Sequence, residues 1–247
     1  MRARVATAFV VLVVVCSAHP VFGQAPAAPP KIWTVTASAG LALTSGNSNT
    51  STINLAYDLT YDPQTKNVVK SDGLFLRGET EGELSNHRTG LNIRDQYKLT
   101  DRIFVFGQNQ YLRDEFKNID YLFAPTGGLG YKVIDTATTK FGVDGSVGMV
   151  FEKNPGFDVN TSGALATGER LTHTLTGNTT LSQTFMGLWK TDDLEDALFT
   201  FGVSIAASMS TRTQLKLEAL DTFKNKPPLP TIQANDVAVL VSFVYKM

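Results

Sequence analysis

The chain has 247 residues, with 22 basic against 23 acidic side chains, three histidines and one cysteine. That balance excludes a basic nucleic-acid-binding surface. A lone Cys16 excludes a disulfide framework and any Cys-based metal site.

Residues 1–23 read as a signal peptide: Arg2 and Arg4 give a positive start and Val5 to Val15 an apolar run. That run is too short for a membrane-crossing helix, which needs about 20 residues. Small residues at Val21 and Gly23 suit cleavage after Gly23, with cleavage after Ala18 as the alternative. Cys16 follows Val15, where a lipid-modified cysteine needs a small residue before it. A mature chain without this leader loses Arg2 and Arg4, leaving 20 basic against 23 acidic residues, and loses its cysteine and His19. Residues 24–31 form a Pro/Ala-rich linker, stiffened by Ala25-Pro26-Ala27-Ala28-Pro29-Pro30.

From 32 to 247 one design repeats: apolar residues at every second position with small or polar residues between them. A period of two is the mark of a strand with one apolar and one wet face. Phe199, Phe201, Val203, Ile205, Ala207 and Met209 share one side of one such stretch; Val237, Val239, Val241, Phe243, Tyr245 and Met247 share one side of the last. Strands are expected near 32–45, 51–61, 70–81, 88–99, 103–113, 123–134, 140–151, 165–176, 180–190, 197–209, 212–223 and 236–247. Soluble strands average about 5–6 residues, whereas a tilted strand crossing a bilayer takes roughly 9–11. These stretches have the longer dimension. After the leader, no uninterrupted apolar run reaches the length of a membrane helix.

The expected fold class is therefore all-β: an antiparallel up-and-down transmembrane β-barrel of about twelve strands, within roughly ten to fourteen. The connections support it. Thr100-Asp101, Asp135 to Thr139, Gly177 to Thr179 and Ser210-Thr211 are tight, while the alternate connections are longer, such as 154–163 and 225–235 with Pro227, Pro228 and Pro230. Short periplasmic turns facing long external loops are the habit of outer-membrane barrels. Two places fit poorly: Gly46 to Thr50 is short for an external loop, and 62–69 is long for a periplasmic turn. Trp33, Tyr57, Tyr61, Tyr97, Tyr111, Tyr131, Trp189 and Tyr245 fall mostly near strand ends, where rings meet the lipid–water boundary.

Several of these pieces resemble the YdiY-like family, whose members are named salt-induced outer membrane proteins and have no known function. They are the opening Trp33 strand followed by Gly46-Asn47-Ser48-Asn49-Thr50, then Tyr97-Lys98-Leu99-Thr100-Asp101-Arg102, Gly127-Gly128-Leu129-Gly130-Tyr131, and the ending Asn235-Asp236 through Val244-Tyr245-Lys246-Met247. The resemblance runs from Trp33 to Met247. It implies an outer-membrane barrel and supplies no activity. The last strand also fits recognition by the barrel-assembly machinery through Val241, Phe243 and Tyr245, although the chain ends on Met247 rather than an aromatic residue.

Chemistry is sparse. No phosphate loop, zinc motif or dinucleotide fingerprint occurs, so no catalytic, cofactor or metal residue is assigned. His173 lies between Leu171 and Leu175; Ser182 or Ser204 can be imagined as nucleophile partners, but no spacing selects them. His87, beside Asn86 and Arg88, reads as solvated. Asp192, Asp193, Glu195 and Asp196 form an acidic external loop without the ligand spacing of a calcium site. Gly127, Gly128 and Gly130 suggest close packing or curvature.

The lumen is the most informative remainder. If Leu91, Ile93, Tyr97 and Leu99 face lipid, then Asn92, Arg94, Gln96 and Lys98 face inward. The same logic sends Arg77, Glu79, Glu81, Lys132, Asp144, Lys216 and Glu218 inside, since a charge on the lipid face costs about 2–4 kcal/mol at the midplane. The expected protein is an outer-membrane barrel in contact with lipid and lipopolysaccharide. Its charged lumen either passes or binds small ions or solutes, or is closed in a stress-related envelope barrel. A lipid or acyl hydrolase and a soluble secreted β-sandwich binding module are the alternatives.

Overall fold

The computed structural model describes residues 32–44 and 50–247. The expected leader and linker, and the first connection, lie outside the described residues.

Twelve strands follow in order: β1 (Trp33–Thr44), β2 (Thr50–Tyr61), β3 (Asn67–Thr80), β4 (Glu83–Lys98), β5 (Ile103–Asp114), β6 (Ile119–Asp135), β7 (Thr139–Lys153), β8 (Asn160–Thr176), β9 (Thr179–Lys190), β10 (Ala197–Ser208), β11 (Thr213–Lys224) and β12 (Asn235–Lys246). Each pairs antiparallel with the next, and β12 returns to β1, so the sheet closes as a barrel. Thr36 opposite Lys246 and Ala39 opposite Phe243 mark the closing seam. The expected all-β, twelve-stranded barrel is the fold observed. No helix among the described residues is long and apolar enough to cross a membrane.

One property of the register organises everything else. Across the ladders, even-numbered residues face even-numbered partners: Lys70 opposite Arg94, Lys98 opposite Phe104, Ser146 opposite Gly128, Lys224 opposite Leu198, Lys246 opposite Thr36. Directly opposed residues share a face, so one parity runs round the whole ring. Even positions point inward, where Leu122, Val150 and Glu152 are buried; odd positions point outward, where Leu41, Leu129, Val147, Leu217, Val239 and Val241 stay exposed. An apolar wall of this kind, on a sheet without edges, is what hydrocarbon requires. The aromatic residues singled out in the sequence all carry odd numbers and belong to this outer face; Trp33 lies against Tyr61 with ring centroids 4.3 Å apart at the end carrying both barrel termini.

Outward charges keep close to strand ends. Arg77 and Glu79 lie near the far end of β3 and pair with each other at 2.8 Å; Arg113 reaches Glu115 at 3.0 Å just beyond β5. Glu169 is the exception, well inside β8, and it accepts a hydrogen bond from Gln183 Nε2 at 3.1 Å.

Strand bounds correct the expected loop pattern. β3 and β4 run longer than periodicity suggested, so their connection is only 81–82, with Glu81 at φ 53° and Gly82 at φ 81°. Two successive positive φ values are the type I′ pattern that matches strand twist. The turn at 62–66 shrinks correspondingly. Long loops persist only at 154–159, 191–196 and 225–234. Glycine enables one close approach inside the barrel: a Cβ on Gly130 would collide with the ring of Phe104, which lies across it.

The parity rule predicts opposite responses from neighbouring sites. Leu217→Arg, outward on β11, should lower the free energy of urea unfolding from vesicles by about 2–4 kcal/mol. Ala206→Glu, inward and opposite Lys216, should leave it within about 1 kcal/mol.

Candidate functional site

Inward side chains divide the lumen into a filled half and a hollow half. At the end away from the termini, strand ends from β5 to β10 bring Leu112, Leu122, Ala124, Val150, Ala164, Leu188 and Leu198 into one buried cluster, joined by Ile119. Its members are the inward positions of the last or first turns of those strands, so ring closure alone forces them together. None of these residues is more than 4% exposed, so water does not reach them.

Above that layer lies a ring of charges. Glu152 of β7, 1% exposed, accepts from Lys190 of β9 at 2.9 Å and from Lys224 of β11 at 3.0 Å. Asp196, in the connection before β10, accepts from the same two ammonium groups at 2.5 and 3.0 Å. Two cations and two carboxylates thus neutralise each other with each group shared, the arrangement that makes buried charge tolerable. Lys117, from the connection 115–118, is wholly buried and donates to the carbonyls of Gln233 and Ala234 at 3.1 and 2.8 Å, and pairs with Asp236 at 2.8 Å. Those partners sit at the start of β12, across the ring from β5 and β6, so Lys117 spans the mouth. Arg88 of β4 likewise bonds across the lumen to Thr222 of β11. The barrel is plugged at this end.

Below, the lumen opens into a chamber of about 480 Å³, lined among others by Asp58, Lys70, Asp72, Arg94, Asp144 and Arg170. Inward residues here, including Asp58, Arg170, Thr172 and Thr184, are exposed rather than buried. Arg94 stacks its guanidinium 3.5 Å from the centroid of the Phe106 ring and pairs with Asp144 at 2.9 Å. A cation on a ring face and a carboxylate together fix the side chain.

Of the residues expected inside from sequence, Arg94, Lys98, Lys132, Asp144, Lys216 and Glu218 stand at inward positions. Each is paired: Lys98 with Asp62 at 3.3 Å, Lys132 with Asp135 at 3.0 Å, Lys216 with Glu218 at 2.9 Å. Arg77 and Glu79 are corrections, because both face outward, and Glu81 occupies the β3–β4 turn. Near a strand end the wall meets headgroups rather than hydrocarbon, where a charge costs only about 0–1 kcal/mol, so cost did not constrain them. The sequence reading missed Lys70, Asp72, Arg88, Glu152, Arg170, Lys190 and Lys224, although parity alone, applied to every strand, would have found them. Lys117 lies in a connection and carries no such signal.

The hydrolase residues do not converge. His173 has outward parity and bonds Thr139 Oγ1 through Nδ1 at 2.8 Å, while Ser182 and Ser204 oppose each other on the inward face. His87 is half-buried and lies on β4 rather than in a loop, 2.9 Å from Glu115, and its hydrogen bond holds that loop carboxyl below the ordinary range. In the acidic loop, Asp193 is held low, and Lys226 pushed up, by their mutual hydrogen bond. Among the described residues no group of His, Asp and Glu has metal-site geometry.

Residues 37–247 match the family model described as "Protein of unknown function, DUF481". No curated protein matches the sequence. Among solved structures, the COG4313 outer membrane channel from Pseudomonas putida F1 is similar at a TM-score of 0.50 and 12% identity, over 94% of this chain and 100% of that one. The translocator domain of the autotransporter NalP from Neisseria meningitidis is similar at a TM-score of 0.50 and 10% identity, over 88% and 89% of the respective chains. At such identities the likeness is one of fold.

The shared-charge ring makes a stability prediction. Glu152→Leu strands two ammonium groups on Asp196 alone and should lower the unfolding free energy by about 3–5 kcal/mol, read as an earlier loss of the compact band in a heat-modifiable gel series.

Proposed function

We propose, for a chain that belongs to the DUF481 family of unknown function, a porin-like outer-membrane barrel that serves as a narrow pathway for small polar solutes and rests closed. The observation that carries this reading is a charged chamber of about 480 Å³ inside a closed barrel, capped by a dry layer. A purely structural barrel has no need of a hollow half lined by ionisable groups, where like charges directly opposed across the strands are destabilising.

The end bearing the termini is the periplasmic one, so the chamber opens to the periplasm and the plug faces outside. Opening this plug must keep the ring of Glu152, Asp196, Lys190 and Lys224 paired, since breaking a buried ion pair costs about 3–5 kcal/mol. Joining chamber and exterior would take displacement of Lys117 and the 225–234 connection together with parting of the apolar layer beneath them. The order of Trp33, Gly46–Thr50, Tyr97–Arg102 and Gly127–Tyr131 along the chain supports membership among the YdiY-like proteins within the family. The outward alternation of Val241, Phe243 and Tyr245 on β12 supports handling by the barrel-assembly machinery, and Arg77 and Arg113 at the outer rim suit contact with lipopolysaccharide.

Planar-bilayer recording tests the pathway. Refolded wild type should show rare, brief conductance steps, whereas Leu122→Ser combined with Leu188→Ser should open steady ones by letting water through the apolar layer. Silence from the variant, with its heat-modifiable band intact, would leave only a closed structural barrel. Steady conductance in the wild type would show that the cap is no barrier.

A further inference from the structure

We infer that the chamber is a binding site for a small zwitterion, a solute carrying one ammonium and one carboxylate a few bonds apart. The inference rests on reading the lumen as a solute pathway, and it adds the chemical class of the solute.

It begins with two cross-strand pairs. Asp58 of β2 stands directly opposite Asp72 of β3, and two residues along β3 Lys70 stands directly opposite Arg94 of β4. All four point inward and line the chamber. Like charges placed directly opposite each other destabilise a sheet, so this wall holds two unfavourable pairs in adjacent rows. Lys70 and Asp72 share one face of one strand and could neutralise each other, yet the described ion pairs do not include one between them. The ion pair nearby is Arg94 with Asp144, 2.9 Å apart. Across the lumen Arg170 of β8, opposite Gly142 and Thr184, lines the same chamber and adds a further cation. Among the described residues, Asp58 accepts a hydrogen bond from the hydroxyl of Thr36, at 3.3 Å, and Asp72 one from the amide of Asn92, at 2.9 Å.

With Arg94 paired to Asp144, Glu218 to Lys216 and Arg88 bonded to Thr222, the chamber is left with two cations, Lys70 and Arg170, and two carboxylates, Asp58 and Asp72, as its remaining charges. A lone anion would gain from Lys70 and Arg170 but be repelled by Asp72; a lone cation would meet the converse. Only a molecule with both charges relieves both pairs at once. Burying a second unpartnered feature beside them, Asn92 leaves its Oδ1 and Arg94 its Nη2 without hydrogen-bond partners, so polar groups next to the chamber have capacity to spare. The volume suits a molecule of a few heavy atoms with several waters.

The test uses full-length barrel refolded in non-ionic detergent and three probes of equal chain length: 4-aminobutyrate, butyrate and butylamine, titrated by calorimetry. The zwitterion should bind at least about tenfold more tightly than either single ion. Arg170→Gln and Asp72→Asn should each weaken it by about tenfold, and Arg170→Lys should recover most of the loss; every variant must keep its heat-modifiable band. Equal binding of butyrate would make the chamber an anion site, equal binding of butylamine a cation site, and either overturns the inference. So does the absence of binding by all three, or indifference to the substitutions. Conductance reads the cap independently: a variant that conducts while no probe binds sinks this inference alone, and probes that bind while no variant conducts sink the pathway alone.

Discussion

Closure of β12 onto β1 is the constraint from which the molecule follows. In a hydrocarbon environment every backbone N–H and C=O needs a partner within the protein, and a sheet meets that demand only by losing its edges. Joining the ends fixes the register of all twelve ladders together, because a slip of one residue anywhere would turn a strand's apolar set inward. The single parity that runs from Thr36 opposite Lys246 round to Thr36 opposite Asp58 is the visible result. Bulges near Gly78, Leu112, Lys132 and Thr174 absorb local irregularity at strand ends without passing it to the neighbours.

With the wall fixed, the interior differs between its halves through residue choice alone. Leu112, Leu122, Val150, Leu188 and Leu198 meet in one buried cluster at one end. Small or hydrophilic residues, among them Gly90, Gly168, Ser182 and Thr184, line the other. The same number of strands could have produced a solid barrel or an open tube; here it produces a capped vessel. Charged residues serve both halves but differently. In the cap, Glu152 and Asp196 are each shared between two lysines, while in the chamber Asp58 and Asp72 crowd together.

Fold class, strand number and the outward placement of the aromatic residues could be read from periodicity, because membrane strands advertise their two faces over ten or more residues. The inner set could be read only where one face is plainly apolar. β4 has Leu91, Ile93 and Tyr97 on one side, and Arg94 and Lys98 followed at once. β3 has Leu74 and Leu76 beside Phe75, so neither face stands out, and Arg77 and Glu79 were placed on the wrong one. The β3–β4 turn was hidden for a related reason: Glu81-Gly82 is a two-residue reversal inside what looked like a polar loop. The cap was least legible. Its apolar members are single residues from many strands that meet only in three dimensions, and Lys117 gains its role from carbonyls more than a hundred positions away.

Lys117 also ties the mouth of the barrel to its seam. Its partners, Gln233, Ala234 and Asp236, lie at the entry to β12, the strand whose pairing with β1 closes the ring. Without β12 in register the strut has nothing to grip, so the anchor at the mouth and the seam that closes the ring depend on one strand and stand or fall together.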